Sequence, residues 1–349
     1  MTLPYKNKTL FYLFVLLLGL ISSFSLPPYN LFYINFFSYP ALLWLLLLYS
    51  KDKIISFNLG WMFGFGYFIS NLYWITNSLT FEDTFKPLIP FALILIPLFL
   101  GLFYGTSTLV FSFLNPKKNL LSLLILATSL SVLEYIRSFL LGGFPWNLIS
   151  FSFVNYLEFI QILSIIGTYT FNSLIILLFL LPIILFFDYK VKIKISILIF
   201  SLLVVCTNYF WGKLNLRQYE LTKKIDLDFT VKIIAPKINI NRYFQNENTN
   251  ELLSELIKIS EPNPSNKTIF IFPEGILSSI YFEDLKKSKN LFLNSFSEKH
   301  KIILGINIYE NKKIYNSLLV LNNELDVLNI YHKNKLVPFG EFLPFEKIL

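Results

Sequence analysis

Apolar residues run in blocks of about twenty up to position 211, and beyond it they thin to short stretches set between Lys, Glu, Asp and Asn. Seven blocks, at about 9–26, 31–49, 54–75, 87–114, 119–140, 157–187 and 195–211, have the length of helices that cross a bilayer. The first two are short and are parted by Pro27, Pro28 and Asn30, so they read as two tilted spans or as one helical hairpin. After position 211 the pattern changes period. "VKIIAPKINI" and "KTIFIFPEG" are β-branched runs ended by Pro or Gly, and 248–261 places Leu252, Leu253, Leu256, Ile257 and Ile259 at helical spacing behind Asn248 or Thr249 as N-cap. A second helix follows at "LKKSKNLFLNSFSEKHK", then strands at "KIILGINIY", "KIYNSLLVLNN" and "LDVLNIYHK". The pattern predicts a multi-span α-helical membrane domain of about seven helices over 1–211, followed by an α/β layered domain over 212–349.

Composition agrees: of 349 residues, 54% are hydrophobic, 18% aromatic and only 15% charged, and the mean hydropathy is +0.57. A net charge of +8 could indicate nucleic acid. Much of the excess, however, sits in loops between spans, and no basic stripe with interleaved aromatics occurs in the polar part, so no nucleic-acid partner is expected. Lys6 and Lys8 precede the first block, Lys51 and Lys53 follow the second, Lys117 and Lys118 the fourth, and Lys190, Lys192 and Lys194 the sixth. The alternate loops hold Glu82 and Asp83 with Lys86, or no charge at all over 142–156. Lysines are retained on the cytoplasmic side, so seven spans with a cytoplasmic N-terminus deliver the polar domain to the outer face. The first block is followed by Leu26, Pro27 and Pro28 rather than the small residues of a cleavage site, and reads as a retained helix. Gly60 and Gly64 form a GxxxG that fits close helix packing.

Single-residue chemistry narrows quickly. One cysteine, Cys206, excludes an intrachain disulfide and a cysteine-based metal cluster. His300 and His332 have no partner at metal-ligand spacing and read as solvated, so neither a metal nor a cofactor is expected. Glu274, in "IFIFPEGIL", ends a strand between Pro273 and Gly275. At such a sheet edge it is either a general base whose pKa burial would raise, or a carboxylate facing a helix N-terminus. "YHKNKLVPFGEFLP" supplies Lys333, Lys335 and Glu341 around Pro338 and Gly340; a lysine held beside a carboxylate stabilises a developing oxyanion, while a lysine alone is usually a solvated surface charge. Glu134 and Arg137 lie three apart on one face of the fifth block, ahead of the turn that ends in Trp146.

These motifs, in order, carry a family resemblance: "LYWI" at 72–75, "EYIRSFLLGGFPW" at 134–146, "YFWGKLNL" at the end of the last block, "FPEG", "YNSLLVL" at 315–321 and "YHKNKLVPFGEFLP". The polar domain resembles a nitrilase-superfamily domain, and with the spans in front the whole chain resembles a bacterial apolipoprotein N-acyltransferase. The resemblance implies a nitrilase-like layered sandwich and a Glu-Lys-Cys acyl-transfer triad. In it Glu274 matches the general base, Lys333 rather than Lys335 the oxyanion-supporting lysine, and Glu341 a supporting glutamate. It also implies that Arg137, Phe144 and Trp146 line a lipid entrance.

The implied reaction takes an acyl chain from a phospholipid onto cysteine and then to the N-terminal amine of a diacylglyceryl-cysteine lipoprotein, at the periplasmic face of the bacterial inner membrane. The implied nucleophile lies tens of residues beyond the lysine, whereas Cys206 reads as a small buried hydrophobe within the seventh block. The chain is therefore expected to be C-terminally truncated and inactive alone. "APKINI" at 235–240 departs from the Gln-x-Asn pattern common in the family's first strand. Two alternatives stand beside this reading: a membrane-anchored amidase of nitrilase type that uses water as acceptor, and a non-catalytic truncated relative.

Overall fold

The computed structural model describes residues 8–81, 83–140, 143–222, 227–236 and 249–337. The chain divides into two compact units, 1–222 and 223–349.

The first unit is helical: α1 (Lys8–Ser23), α2 (Asn35–Tyr49), α3 (Lys53–Asn71), α4 (Ile89–Leu114), α5 (Leu120–Arg137), the short α6 (Leu157–Ile160) and α7 (Leu163–Ile166), α8 (Thr168–Leu180) and α9 (Val191–Leu221). Among the described residues five stretches are long and apolar enough to cross a membrane: 32–49, 83–114, 120–137, 168–186 and 191–221. They coincide with the second, fourth, fifth, sixth and seventh blocks of the sequence. Two expected spans fall outside that test for physical reasons. α1 has 16 residues, and α3 replaces apolar bulk with Gly60, Gly64 and Gly66.

Those glycines set the packing. α3 lies between α1 and α4. A Cβ on Gly60 would sit 2.4 Å from the Tyr104 carbonyl oxygen of α4, and one on Gly66 would sit 2.0 Å from the Leu16 carbonyl oxygen of α1. Backbones meet at these crossings because no side chain intervenes, as in small-residue packing between membrane helices. The sixth block is not one helix: α6 and α7 end at Gly167, whose φ of +75° breaks the helix before α8. α9 runs 31 residues, about 46 Å at the usual rise, and continues past Trp211. Of its residues only Gly212 is buried, which suits a helix facing hydrocarbon on nearly all sides.

Among its described residues the second unit carries one mixed sheet. β1 (Thr230–Ile233), β2 (Thr268–Ile271) and β4 (His300–Glu310) run parallel, and β4, β5 (Lys313–Leu321) and β6 (Val327–His332) antiparallel, in the order β1-β2-β4-β5-β6. β3 (Leu277–Tyr281) pairs with β4 further along the edge that β2 occupies. α10 (Thr249–Ser260) crosses from β1 to β2, and α11 (Phe282–Leu285) and α12 (Lys289–Ser295) lead from β3 to β4. One sheet face supplies Phe270, Ile302, Leu304 and Leu319 to a core closed by Leu253 and Leu256 of α10 and Phe292 of α12. On the opposite face Val231, Ile233 and Leu318 are exposed.

β3 and α11 are absent from the sequence expectation. His300 is also corrected: it is fully buried, because it takes the inward register of β4, where Phe270 and Phe296 pack edge-on to its ring. Its Nδ1 accepts the Ser297 N–H at 3.1 Å and its Nε2 lies 3.0 Å from the Asn263 carbonyl oxygen.

Candidate active site

Glu274 stands in the gap between two strands that share one edge of β4. β2 ends at Ile271, the ladder adds one further bond from the Phe272 N–H to the Ile303 carbonyl at 2.9 Å, and pairing resumes at Leu277 opposite Ile306. Pro273 cannot donate to the ladder, and Gly275 adopts φ +71°, so the chain leaves the sheet and returns within a few residues. Gly305 of β4 faces this excursion: a Cβ there would lie 3.2 Å from the Glu274 Cα. A bare strand position thus makes room for the turn that lifts the carboxylate off the sheet.

Lys333 arrives from the other side of β4. It follows β6, and its N–H donates to the Asn316 carbonyl of β5 at 2.8 Å, extending the β5–β6 ladder by one bond. Its Nζ lies 3.0 Å from Glu274 Oε1, and the Asn316 Nδ2 donates to the same oxygen at 3.0 Å. An ammonium from just past β6 and an amide from within β5 therefore converge on one oxygen of the carboxylate that follows β2. Lys335 is exposed, and it is Lys333 that reaches Glu274. The Glu274 side chain is 64% exposed and that of Lys333 28%, so the carboxylate does not have the buried setting that one of its two sequence readings gave it. A solvent-open ion pair adds little stability. What it supplies is placement: a carboxylate, a group able to accept a proton, held beside a positive charge.

Behind the lysine, His332 is not solvated as expected. Its Nδ1 lies 2.8 Å from the Oγ of buried Ser317, and its ring packs on Tyr315 with centroids 4.6 Å apart. The inward position of His332 and the outward position of Lys333 follow from strand alternation. Glu341 lies outside the described residues. Among those residues no group of three or more His, Cys, Asp or Glu is arranged to hold a metal.

In the first unit Glu134 and Arg137 are both 1% exposed. Glu134 accepts from the Tyr104 hydroxyl at 3.0 Å and from the Asn172 amide, and the Asn172 Oδ1 accepts the Ser150 N–H at 2.9 Å. The guanidinium lies 3.9 Å from Glu134, and its Nη1 donates to the carbonyls of Phe144 at 2.7 Å and Trp146 at 2.9 Å. The Tyr67 hydroxyl donates to the next carbonyl, that of Asn147, at 3.0 Å. Two helices thus clamp three carbonyls of one loop. Arg137 itself is enclosed, with its guanidinium over the rings of Phe68 and Phe144, while Trp146 is half exposed and stands 5.6 Å from Trp74. Tyr67, Tyr104 and Asn172 carry no signal in the sequence beyond their place in apolar runs, whereas Asn316 belongs to the "YNSLLVL" segment at 315–321. Cys206 lies within α9 and is partly buried.

Residues 18–181 match the family model described as Apolipoprotein N-acyltransferase N-terminal domain. The chain is 26% identical over 351 residues to the apolipoprotein N-acyltransferase of Brucella melitensis and 27% identical over 351 residues to that of Agrobacterium fabrum; each match covers 95% of this chain and 65% of the relative. It is 29% identical over 352 residues to that of Rickettsia prowazekii, covering 99% of this chain and 68% of the relative. The chain thus spans about two thirds of the length of the curated relatives it matches.

Proposed function

We propose, from the similarity of this chain to apolipoprotein N-acyltransferases along 95% or more of its length, that it serves phospholipid-dependent N-acylation of lipoproteins. The observation that carries the reading is the meeting of Lys333 and Asn316 on Glu274 Oε1, each at 3.0 Å. In the proposed first step Glu274 removes the proton of a cysteine thiol, and the thiolate attacks the ester carbonyl of a phospholipid acyl chain. Lys333 stabilises the tetrahedral oxyanion. Collapse releases the lysophospholipid alcohol, which takes the proton back from Glu274 and leaves a thioester. In the second step the N-terminal amine of a diacylglyceryl-cysteine lipoprotein attacks that thioester, Glu274 accepts the amine proton, and the thiol is regenerated with an amide formed. Two half-reactions through one covalent intermediate give ping-pong kinetics. The thiol in this scheme is not that of Cys206, which belongs to an apolar helix in the first unit.

The proposed setting is the bacterial inner membrane, with seven spans, a cytoplasmic N-terminus and a periplasmic second unit of nitrilase-like fold. Basic loops at Lys51 and Lys53, at Lys117 and Lys118, and at Lys190 to Lys194 support that orientation. Both substrates then keep their acyl chains in hydrocarbon while their reacting groups meet the charged pair at the surface. Trp146 and Phe144 contact lipid in this reading, and Arg137 acts on lipid through the loop it holds. Acylation of a diacylglyceryl-cysteine peptide, assayed in phospholipid nanodiscs with the native product of the gene, tests the proposal. Glu274→Gln lowers the rate by about 10²–10⁴ while leaving folding intact; an undiminished rate in that variant removes Glu274 as base.

A further inference from the structure

The first unit holds a cavity walled in part by Trp146, one of the residues assigned above to lipid contact. Its volume is about 510 Å³, and it opens where α1 and α3 end, between those ends and the clamped loop. Trp74, Trp146 and Tyr73 line it, together with Ser70, Asn71 and Asn147. Three properties define what it takes. First, no Asp, Glu, Lys or Arg lines it among the described residues, so neither a phosphate nor an ammonium finds a counter-charge. Second, it presents amides. The Asn71 Nδ2 donates to the Tyr67 carbonyl at 3.1 Å, which leaves its Oδ1 without a partner among the described residues, and the Asn147 side chain likewise has none there. Third, the wall is preorganised: Arg137 and Tyr67 fix the carbonyls of Trp146 and Asn147, and the Trp74 and Trp146 rings lie 5.6 Å apart. Tryptophan and tyrosine at the ends of membrane helices mark the depth where hydrocarbon gives way to headgroups.

We propose that this pocket binds the uncharged glycerol–ester neck of a diacyl lipid, with the ester carbonyls and glycerol oxygens against the two asparagine amides and the acyl chains leaving into the bilayer. The inference rests on the reading that the first unit spans a membrane, and not on the roles of Glu274 or Lys333. The same neck occurs in a glycerophospholipid and in a diacylglyceryl-modified peptide. The full chain in nanodiscs is irradiated with a glycerophospholipid carrying a diazirine next to its ester carbonyl, and the labelled peptides are mapped. Labelling concentrates on 70–74 and 146–154. It falls about tenfold in Asn71→Leu, which removes an acceptor, and in Val154→Trp, which fills the mouth from a surface position, while labelling elsewhere in the chain is unchanged. Glu274→Gln does not change it. Competition by unlabelled phospholipid, or by a dipalmitoylglyceryl-cysteine peptide, identifies which source fills the site. Even labelling of all spans, insensitivity to both substitutions, or equal labelling by a diazirine fatty acid that has no glycerol neck overturns the proposal.

Discussion

Asn316 does for Glu274 what a lysine alone cannot. A flexible ammonium holds a carboxylate loosely, whereas a second, neutral donor on the same oxygen fixes the plane of the carboxyl group. Asn316→Ala removes one exposed hydrogen bond, worth about 1 kcal/mol, so the unfolding midpoint of the protein scarcely moves while the rate of acyl transfer falls about tenfold. Parallel thermal and kinetic measurements check this; an equal loss in both means Asn316 is only structural. In the first unit Arg137 is a buried charge: its Nη1 donates to two carbonyls, and its Nη2 lies 3.9 Å from the Glu134 carboxylate. Arg137→Lys keeps the charge but replaces the planar guanidinium that lies over the Phe68 and Phe144 rings while one of its nitrogens serves two carbonyls, and Arg137→Leu strands Glu134 in an apolar interior. Leucine costs about 3–5 kcal/mol in detergent unfolding experiments, and lysine recovers only part of it.

At the scale of elements, each strand interruption has a local cause, and the most informative is Gly305. A Cβ there would press on Glu274 from 3.2 Å, a distance at which the turn must shift by a few tenths of an ångström. Gly305→Ala therefore lowers transfer severalfold with β4 intact, since alanine fits an ordinary strand backbone; unchanged kinetics would show that the turn has slack to spare. This element also separates what was legible in the sequence from what was not. Long apolar runs announce membrane helices and β-branched runs announce strands, so α4, α9, β2, β4 and β5 follow from pattern alone. β3 was hidden because "LSSIY" is short, half polar and separated from β2 only by the Glu274 turn. The meeting of Glu274 with Lys333, 59 residues on, rests on two strand ends reaching across β4 and β5, and no local pattern states such a register. The partners of Glu134 are likewise 30 and 38 residues away on separate helices, so the sequence exposes the charged pair but not the Tyr104 and Asn172 that enclose it.

For the whole molecule, the proposed acylation of exported lipoproteins requires the charged pair to lie on the outer face of the membrane. A cysteine placed at the exposed loop residue Ser265, in a Cys206→Ser background, is expected to react with a membrane-impermeant maleimide added outside intact spheroplasts. Labelling only after lysis would reverse the topology. The proposed reaction depends on Glu274 and Lys333 acting on one acyl group. A double-mutant cycle on acyl transfer with Glu274→Gln, Lys333→Met and the double variant measures that dependence directly. If the pair works as a unit, either single substitution removes nearly all of the rate and the double variant is no slower than the worse single one. If the two losses simply multiply, the carboxylate and the ammonium act independently, and the 3.0 Å contact between them is a surface ion pair and nothing more.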